Sequence, residues 1–316
     1  ATPNHVLFGV VRPLPEKWIV YLMYKAGKGY RIGRTVGSRQ ESKNQPVAIG
    51  IKVRINQEHA DKIWILRICD SLEDAAYYEV LYSTRYSIPT ICFHANGRRL
   101  ALSQQRIDQI YNEIDSVSNV RKLMEDLDIF FDYPHLLSGG KESIGRPTIT
   151  LSMFGHKKIK GNKFSHVVTL HGKSSELGEK LKAAGFSITP SKKDMWRFRC
   201  VMSDYSKAAQ LAESMKELDK DLVIVRKAVL SPIFTNEQPF LEMPAGQFHI
   251  GMSIAINKNG QITEDTVVKI ERYYYSGKVY DLKIAQVCNF VTASGIVCHN
   301  SIYKFCLLYT SPSPRD

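Results

Sequence analysis

The stretch GKVYDLKIAQVCNFVTASGIVCHNS, residues 277–301, decides how the last part of this 316-residue chain folds. From residue 239 onward, Gly, Pro and short runs of alternating apolar residues dominate, which predicts an all-β segment. The stretch ends in His299, Asn300 and Ser301, three adjacent residues whose side chains can all take part in chemistry. We therefore expect a β structure that carries a reactive group at its end.

The order His299, Asn300, Ser301 predicts a backbone that can break after Asn300. The side-chain amide of asparagine can attack its own backbone carbonyl, which forms a succinimide and cleaves the chain after it. Fixed geometry supplies a large share of the barrier to such a reaction, and a neighbouring His can protonate the leaving amide. A Ser hydroxyl directly after the Asn is a nucleophile that can first accept an acyl group as an ester. Taken alone, the three residues also fit an ordinary surface turn.

The surroundings of this tripeptide resemble the C-terminal splicing region of inteins. The matching segments are a VYDL strand, an NF turn, a GIV strand and the final His-Asn-Ser, at residues 279–282, 289–290, 295–297 and 299–301. At the other end of the chain, TPNHVLF resembles the internal TxxH motif of inteins, with Thr2 and His5 in the motif positions. The resemblance implies an all-β Hint splicing domain, made of residues 1–15 and 236–300.

The resemblance also implies roles for individual residues. His5, with Thr2, activates the N-terminal scissile peptide, and Asp281 of the VYDL motif tunes the C-terminal block, with a strand-edge carboxylate as the alternative. Where the family often has His before the NF turn, this chain has Cys288, either as neutral packing or as a substituted catalytic group. The resemblance implies that the N-terminal nucleophile and first strands of the family are expected upstream of Ala1. We therefore expect cleavage at Asn300, or splicing if that segment is supplied.

A second resemblance lies in the middle of the chain. WIVYLMYKAGKGYRIGRT, residues 18–35, is a predicted β-hairpin that resembles the GIY-YIG nuclease hairpin, with Tyr21 and Tyr30 as its tyrosines. DSLEDAAYYEVLYSTRYSIP, residues 70–89, is a predicted helix that begins at a Ser cap. It resembles the later helix of that family and places Glu79 as the metal ligand. The resemblance implies an inserted α/β endonuclease domain over residues 16–135.

The nuclease chemistry needs a divalent metal on the phosphate, an Arg to offset charge, and a Tyr or water-linked base. A single Glu79 ligand suits Mg²⁺, which keeps most of its waters. We assign the arginine to Arg54, with Arg39 as the alternative and His59 nearby. The second Tyr is one residue out of register and Arg31 takes its slot, a shift that sends a strand side chain to the other face. A degenerate insert that binds DNA without cutting it is therefore the alternative.

Residues 136–235 are predicted to be a linker followed by a second small α/β unit, and residues 104–128 before them read as one helix by periodicity. Basic residues alternate with aromatic ones in segments such as SKKDMWRFR, residues 191–199. This mixture fits phosphate contact combined with base stacking. A packing spacer with a solvated basic face fits it equally.

The amino-acid composition favours an anionic partner. Lys and Arg exceed Asp and Glu by a net charge of +12, which indicates nucleic acid, here a double-stranded DNA target. The six cysteines form no CxxC pair, so we expect no zinc knuckle and a reducing, cytoplasmic location. No apolar run is long enough to span a bilayer, so no membrane partner is expected.

The last residues point to a host protein. SIYKF, residues 301–305, resembles a motif of UvrD/PcrA-type ATP-dependent DNA helicases, so the flanking exteins are expected to be helicase and the DNA target the uninterrupted helicase gene. Residues 306–316 read as adaptor-derived sequence. A helicase proper is disfavoured because no GxxxxGK[ST] phosphate loop appears. The sequence thus predicts a mixed fold, an all-β Hint domain interrupted by an inserted α/β GIY-YIG-like domain and a second small α/β unit.

Overall fold

A computed structural model describes most of the chain: residues 3, 5–40, 47–95, 100–137, 147–155, 165–173, 175–191, 195–219, 222–230, 239–278, 282 and 284–299. Within these ranges the protein is a mixed α/β fold built on large sheets, which confirms the expected mixed class. Four of the predicted site residues lie outside the described residues: Thr2, Asp281, Asn300 and Ser301. The helicase-like segment 301–305 and residues 306–316 also lie outside them.

The strands follow the apolar and β-branched runs of the sequence. They are β1 (Val6–Val10), β2 (Trp18–Lys25), β3 (Gly29–Val36), β4 (Ser38–Arg39), β5 (Ala48–Ile49), β6 (Lys62–Cys69), β7 (Leu136–Leu137), β8 (Thr148–Met153), β9 (His166–Gly172), β10 (Thr189–Pro190), β11 (Trp196–Met202), β12 (Val223–Ala228), β13 (Phe240–Pro244), β14 (Ser253–Lys258), β15 (Gln261–Thr266), β16 (Asn289–Val291) and β17 (Val297–His299). The helices are α1 (Gly50–Glu58), α2 (Leu72–Tyr86), α3 (Gln104–Glu113), α4 (Ser116–Asp126), α5 (Ser175–Ala183) and α6 (Tyr205–Glu217).

The largest sheet branches at β1. Its strands run in the order β10-β11-β9-β8-β12-β13-β1-β14-β15, and β17 joins β1 to β16. Strand β1 pairs antiparallel with β13, with β14 and, through Leu7 opposite Cys298, with β17. Strands from the two ends of the chain therefore lie side by side. We call residues 5–14 and 239–299 the terminal β unit.

A second sheet, in the order β3-β2-β6-β7, forms the core of residues 18–137, which we call the hairpin domain. Strands β2 and β3 are the predicted hairpin, with Tyr21 opposite Gly33 and Tyr24 opposite Tyr30. Helix α1 packs on one face of this sheet, in a cluster with Tyr21, and α2 packs on the other face, in a cluster with Tyr30. The sheet is thus covered by helices on both faces.

The region predicted as one helix over residues 104–128 is two helices, α3 and α4. The break falls where Asp115 accepts a hydrogen bond from the backbone amide of Ser118 at 3.0 Å. An aspartate that caps a new helix start in this way competes with continuation of the helix before it. Apolar periodicity alone does not reveal such an internal cap.

Residues 147–230, which we call the α/β unit, do not form a sheet of their own. Strand β12 pairs in parallel with β8 and antiparallel with β13, where Ala228 lies opposite Phe240. Phe8 of β1 belongs to the same buried cluster as Leu177 of α5 and Ala208 of α6. The α/β unit and the terminal β unit therefore share one sheet and one core, although the sequence predicted a boundary near residue 235. Pairing of β12 with β13 covers edges that would otherwise be exposed.

A buried polar cluster joins the hairpin domain to the terminal β unit. His135 accepts a hydrogen bond at Nδ1 from the amide of Ile65 (3.0 Å), so its Nε2 carries the proton and donates to the carbonyl of Gln247 (2.7 Å). The Gln247 side chain in turn contacts the backbone of Phe130 and Tyr133. Burial lowers the pKa of His135 to about 3, so the ring is a neutral hydrogen-bonding group.

Candidate active site

His299 is the last residue of β17, and its side chain is buried, with 2% of its surface exposed. Its ring meets the ring of Phe8 edge-on, with 6.0 Å between centroids, and the ring of Tyr205 edge-on at 5.2 Å. Phe8 comes from the first strand of the chain and Tyr205 from the start of α6. The residue before Asn300 is therefore enclosed by parts of the chain that are remote in sequence.

A buried carboxylate faces His299. Glu242 lies on β13, and its side chain is fully buried. Its Oε1 is 3.9 Å from Nε2 of His299, and its Oε2 is 3.9 Å from Nε of Arg226. Oε1 also accepts a hydrogen bond from the hydroxyl of Tyr205. Such partners offset the large free-energy cost of burying a charge.

Tyr205 and the side chain behind it, His166, are both neutral. The pKa of Tyr205 is raised well above its ordinary value by burial and then by the charge of Glu242, so Tyr205 is a neutral phenol that donates. The ring of His166 lies 5.2 Å from that of Tyr205, on β9. Burial lowers the pKa of His166 to about 4, despite an opposing effect of Asp204, so this imidazole is neutral at pH 7.

Cys288 sits next to the start of α6. Its Sγ is 3.2 Å from Oγ of Ser206, and burial raises the pKa of the thiol. The backbone amide of Tyr205 donates to the carbonyl of Gln286 at 2.8 Å, which ties the loop before β16 to α6. Of the two roles considered for Cys288, a protonated and packed thiol is the one that this environment supports.

The structure brings two of the predicted splicing residues to the same end of one strand pair. Leu7 of β1 lies opposite Cys298 of β17, and His5 and His299 follow at the same end. His5 is half-buried, and its carbonyl accepts a hydrogen bond from the amide of Ala245 at 2.8 Å. His5 thus lies beside the end of β13, and His299 contacts Glu242 of the same strand through its side chain.

Sequence reasoning missed Glu242, Tyr205 and His166. A single carboxylate within the apolar strand FLEMP was a usable signal for Glu242, because a charge at a buried strand position needs a reason. Tyr205 and His166 belong to the α/β unit, and nothing in their local sequence connects them with His299. The contact of Tyr205 with the ring of His299 depends on the pairing of β12 with β13, and His166 packs behind it against Tyr205.

The predicted nuclease residues do not converge. Tyr21 shares a buried cluster with Ile51 and Ile55 of α1, the helix that carries Arg54. Tyr30 lies in the cluster on the other face of the sheet, together with residues of α2, the helix that carries Glu79. Tyr21 and Tyr30 therefore lie on opposite faces of the sheet. The sheet itself separates Tyr21 and Arg54 from Tyr30 and Glu79.

Local contacts also occupy these side chains. Burial raises the pKa of Tyr30, and Nη1 of Arg54 donates to Oε1 of Gln57 at 3.3 Å. Arg39 is half-buried on β4, and the ring of His59 stacks on that of His94 with 5.3 Å between centroids. None of these contacts points the groups toward a shared position.

Glu79 does not fit the role of Mg²⁺ ligand. Its carboxylate forms an ion pair with Arg34 of β3, and the Glu79 side chain is only 13% exposed. A divalent cation at this carboxylate would lie next to the guanidinium, and two like charges at contact distance repel strongly. Within the described ranges, no three His, Cys, Asp or Glu side chains gather in a group that could hold a metal ion.

The slot expected for the second tyrosine holds Arg31 instead. Its guanidinium carbon is 5.9 Å from the centre of the Tyr21 ring, and its Nη1 forms an ion pair with Glu58 of α1. Its Nη2 donates to the carbonyl of Thr90 at 2.8 Å, while the amide of Phe93 donates to Glu58 at 3.1 Å. The position beside Tyr21 is therefore filled by a buried ion pair.

Among the helices of the described ranges, none combines the length and the apolar character that crossing a bilayer requires. Comparisons with protein-family models, with curated proteins and with solved structures each found no match.

Proposed function

We propose that this chain is an intein-type self-cleaving protein that breaks its backbone after Asn300. The observation that carries the proposal is the buried ring of His299, one residue before Asn300, held beside the carboxylate of Glu242 and the ring of Tyr205. On this proposal the segment that begins at Ser301 belongs to a UvrD-type helicase. When an upstream segment is joined to the chain, Ser301 accepts its acyl group and the two flanks are spliced.

The cleavage step needs one proton to leave and one to arrive. The side-chain amide nitrogen of Asn300 attacks its backbone carbonyl carbon, the bond from that carbon to the nitrogen of Ser301 breaks, and a succinimide remains. The attacking nitrogen loses a proton and the leaving nitrogen gains one, so no other reactant is consumed. His299 is the adjacent group that can deliver the proton, a role that suits imidazole near neutral pH.

Glu242 and Tyr205 act on His299 rather than on the scissile bond. The contact between Glu242 and Nε2 of His299 becomes an ion pair when the ring is protonated. Away from water, such a preorganised charge has a larger effect than it has in solvent. The edge-on contacts with Phe8 and Tyr205 restrict the plane of the ring. We therefore assign Glu242 and Tyr205 as positioning residues.

The direct test is a fusion in which a foreign domain follows Ser301. We expect spontaneous release of that domain, with Ser301 as its first residue and a succinimide or asparagine at the end of the remaining chain. Mass spectrometry of both products identifies the broken bond. A stable fusion, or cleavage at another bond, would contradict the proposal.

Glu242→Gln is expected to slow this release by about 10- to 100-fold, part of the factor of about 10²–10⁴ that a positioned acid supplies. Glutamine keeps the shape and still accepts from Tyr205, and Arg226 keeps its pair with Glu213, so the fold is retained. The measurement is the first-order rate of release on gels.

The control is Glu264→Gln, which changes a half-exposed glutamate paired with Arg12 and is expected to leave the rate unchanged. In a His299→Ala background, Glu242→Gln is expected to have no further effect, because its partner is absent. Additive effects of the two substitutions would remove Glu242 from the role of positioning His299.

We also propose that the hairpin domain does not cut DNA through the four residues suggested by resemblance. The division of Tyr21 and Arg54 from Tyr30 and Glu79 by the sheet supports this, as does the ion pair of Glu79 with Arg34. The insert then corresponds to the degenerate alternative.

With Mg²⁺ and a plasmid that carries the uninterrupted helicase gene, we expect the chain to produce no linear DNA above background. Glu79→Ala is expected to behave as the parent does. Cutting by the parent that is lost in Glu79→Ala would restore Glu79 as a metal ligand and contradict this second proposal.

A further inference from the structure

The sheet of the α/β unit has one face that α5 and α6 do not cover. Both helices pack with Ile149, Leu151, Val168 and Leu170 and with other strand residues of the same face. Because strand side chains alternate between faces, the intervening residues project from the opposite face. We call that surface the open face, and its polar members are Thr148, Thr150, Ser152, Thr169, His171, Thr189, Arg197, Arg199 and Lys227.

Strand register places these side chains in rows across the sheet. Arg199 lies opposite Thr169, which lies opposite Thr150, and Arg197 lies opposite both His171 and Thr189. Arg199, His171 and Thr189 are exposed, and the other polar members are half-buried. The surface is therefore a contiguous patch of hydroxyl and cationic groups, with valines between them.

The charges on the open face have one sign. Strands β8 to β12 contain no Asp or Glu in the segments TITLSM, HVVTLHG, WRFRCVM and VIVRKA. Within the described residues neither Arg197 nor Arg199 has an ion-pair partner, and the buried Nε of Arg197 makes no hydrogen bond there. By contrast, Lys180 and Lys182 on α5 are each paired with a glutamate. Guanidinium donors that have no carboxylate partner at a surface favour an anionic ligand with many oxygen acceptors.

The aromatic residues that alternate with these arginines cannot take part. Trp196 and Phe198 are 8% and 6% exposed and belong to the core beneath α5 and α6. The base stacking suggested by the segment 191–199 therefore does not hold for these two residues. The alternation that exposes Arg197 and Arg199 is the same alternation that buries the aromatic rings between them.

We propose that the open face binds the sugar–phosphate backbone of double-stranded DNA. Arginine and hydroxyl groups are the usual donors to phosphate oxygens, and a sheet face without acidic residues matches the negative charge of the duplex. Contacts of this kind depend strongly on salt and weakly on sequence. The inference is independent of cleavage at Asn300.

The test measures binding of the full chain to a fluorescent DNA duplex of arbitrary sequence over a range of salt concentrations. For Arg197→Gln/Arg199→Gln we expect weaker binding and a slope of log K against log salt that is smaller by about 2, since each phosphate contact contributes about 1. The control Lys180→Gln/Lys182→Gln removes the same charge from the opposite face, and we expect its binding to equal that of the parent.

Arg199→Gln alone changes an exposed side chain and keeps the test valid if the double variant does not fold. Its slope is expected to fall by about 1. Three outcomes would overturn the proposal: an unchanged slope in the arginine variants, an equal loss in the lysine control, or equal or tighter binding of duplex RNA by the parent.

Discussion

Replacing Asn300 by alanine is expected to abolish release of a domain fused after Ser301. Alanine has no amide to attack the backbone carbonyl, and ordinary hydrolysis of a peptide bond is far too slow to replace that reaction. His299 and its contacts with Glu242 and Tyr205 remain in this variant, so loss of release isolates the chemistry of one side chain. The readout is the intact mass of the fusion after long incubation.

Asn56→Ala is the matched control for this substitution. Asn56 lies on the exposed side of α1, where alanine favours the helix, so release is expected at the parental rate. Persistent release in Asn300→Ala would show that another group breaks the bond and would end the splicing proposal. Loss of release in both variants would show that the assay reports folding and not chemistry.

Local features of the fold could be predicted because local chemistry determines them. The hairpin of β2 and β3 follows from two apolar runs around a glycine turn. The start of α2 follows from Ser71, whose hydroxyl accepts a hydrogen bond from the amide of Asp74 at 3.0 Å. The second tyrosine stands at position 30 and not at position 31. Because side chains alternate along a strand, this places Tyr30 on the opposite face of the sheet from Tyr21.

The surroundings of His299 could not be predicted in the same way. Phe8, Tyr205 and Glu242 meet the ring from three distant parts of the chain, and only the order of strands around β1 brings them together. Residue patterns within a window of ten or twenty positions carry no information on that order. The motif thus predicts the reacting residue, while long-range pairing supplies the groups that surround His299.

Replacing Arg31 by methionine is expected to destabilise the protein by about 3–5 kcal/mol, the usual effect of removing one partner from a buried ion pair. The Arg31 and Glu58 side chains are 8% and 0% exposed, so Glu58 would keep a buried charge without its guanidinium. The carbonyl of Thr90 would also lose a donor. The measurement is the free energy of unfolding from denaturant titration.

Two companions make this result specific. Arg34→Met breaks the more exposed pair with Glu79, whose arginine is 38% exposed, and a pair of that kind contributes only about 0–1 kcal/mol. In Arg31→Met/Glu58→Gln, the glutamine oxygen still accepts from the amide of Phe93, and the buried carboxylate charge is gone, so part of the lost stability should return. If Arg31→Met and Arg34→Met prove equally mild, the buried pair does not hold α1 to the sheet. Removal of a structural ion pair lowers stability, so an Arg31→Met variant of unchanged stability would show that Arg31 is not needed for the fold. Arg31 would then be a candidate for a role in binding or catalysis.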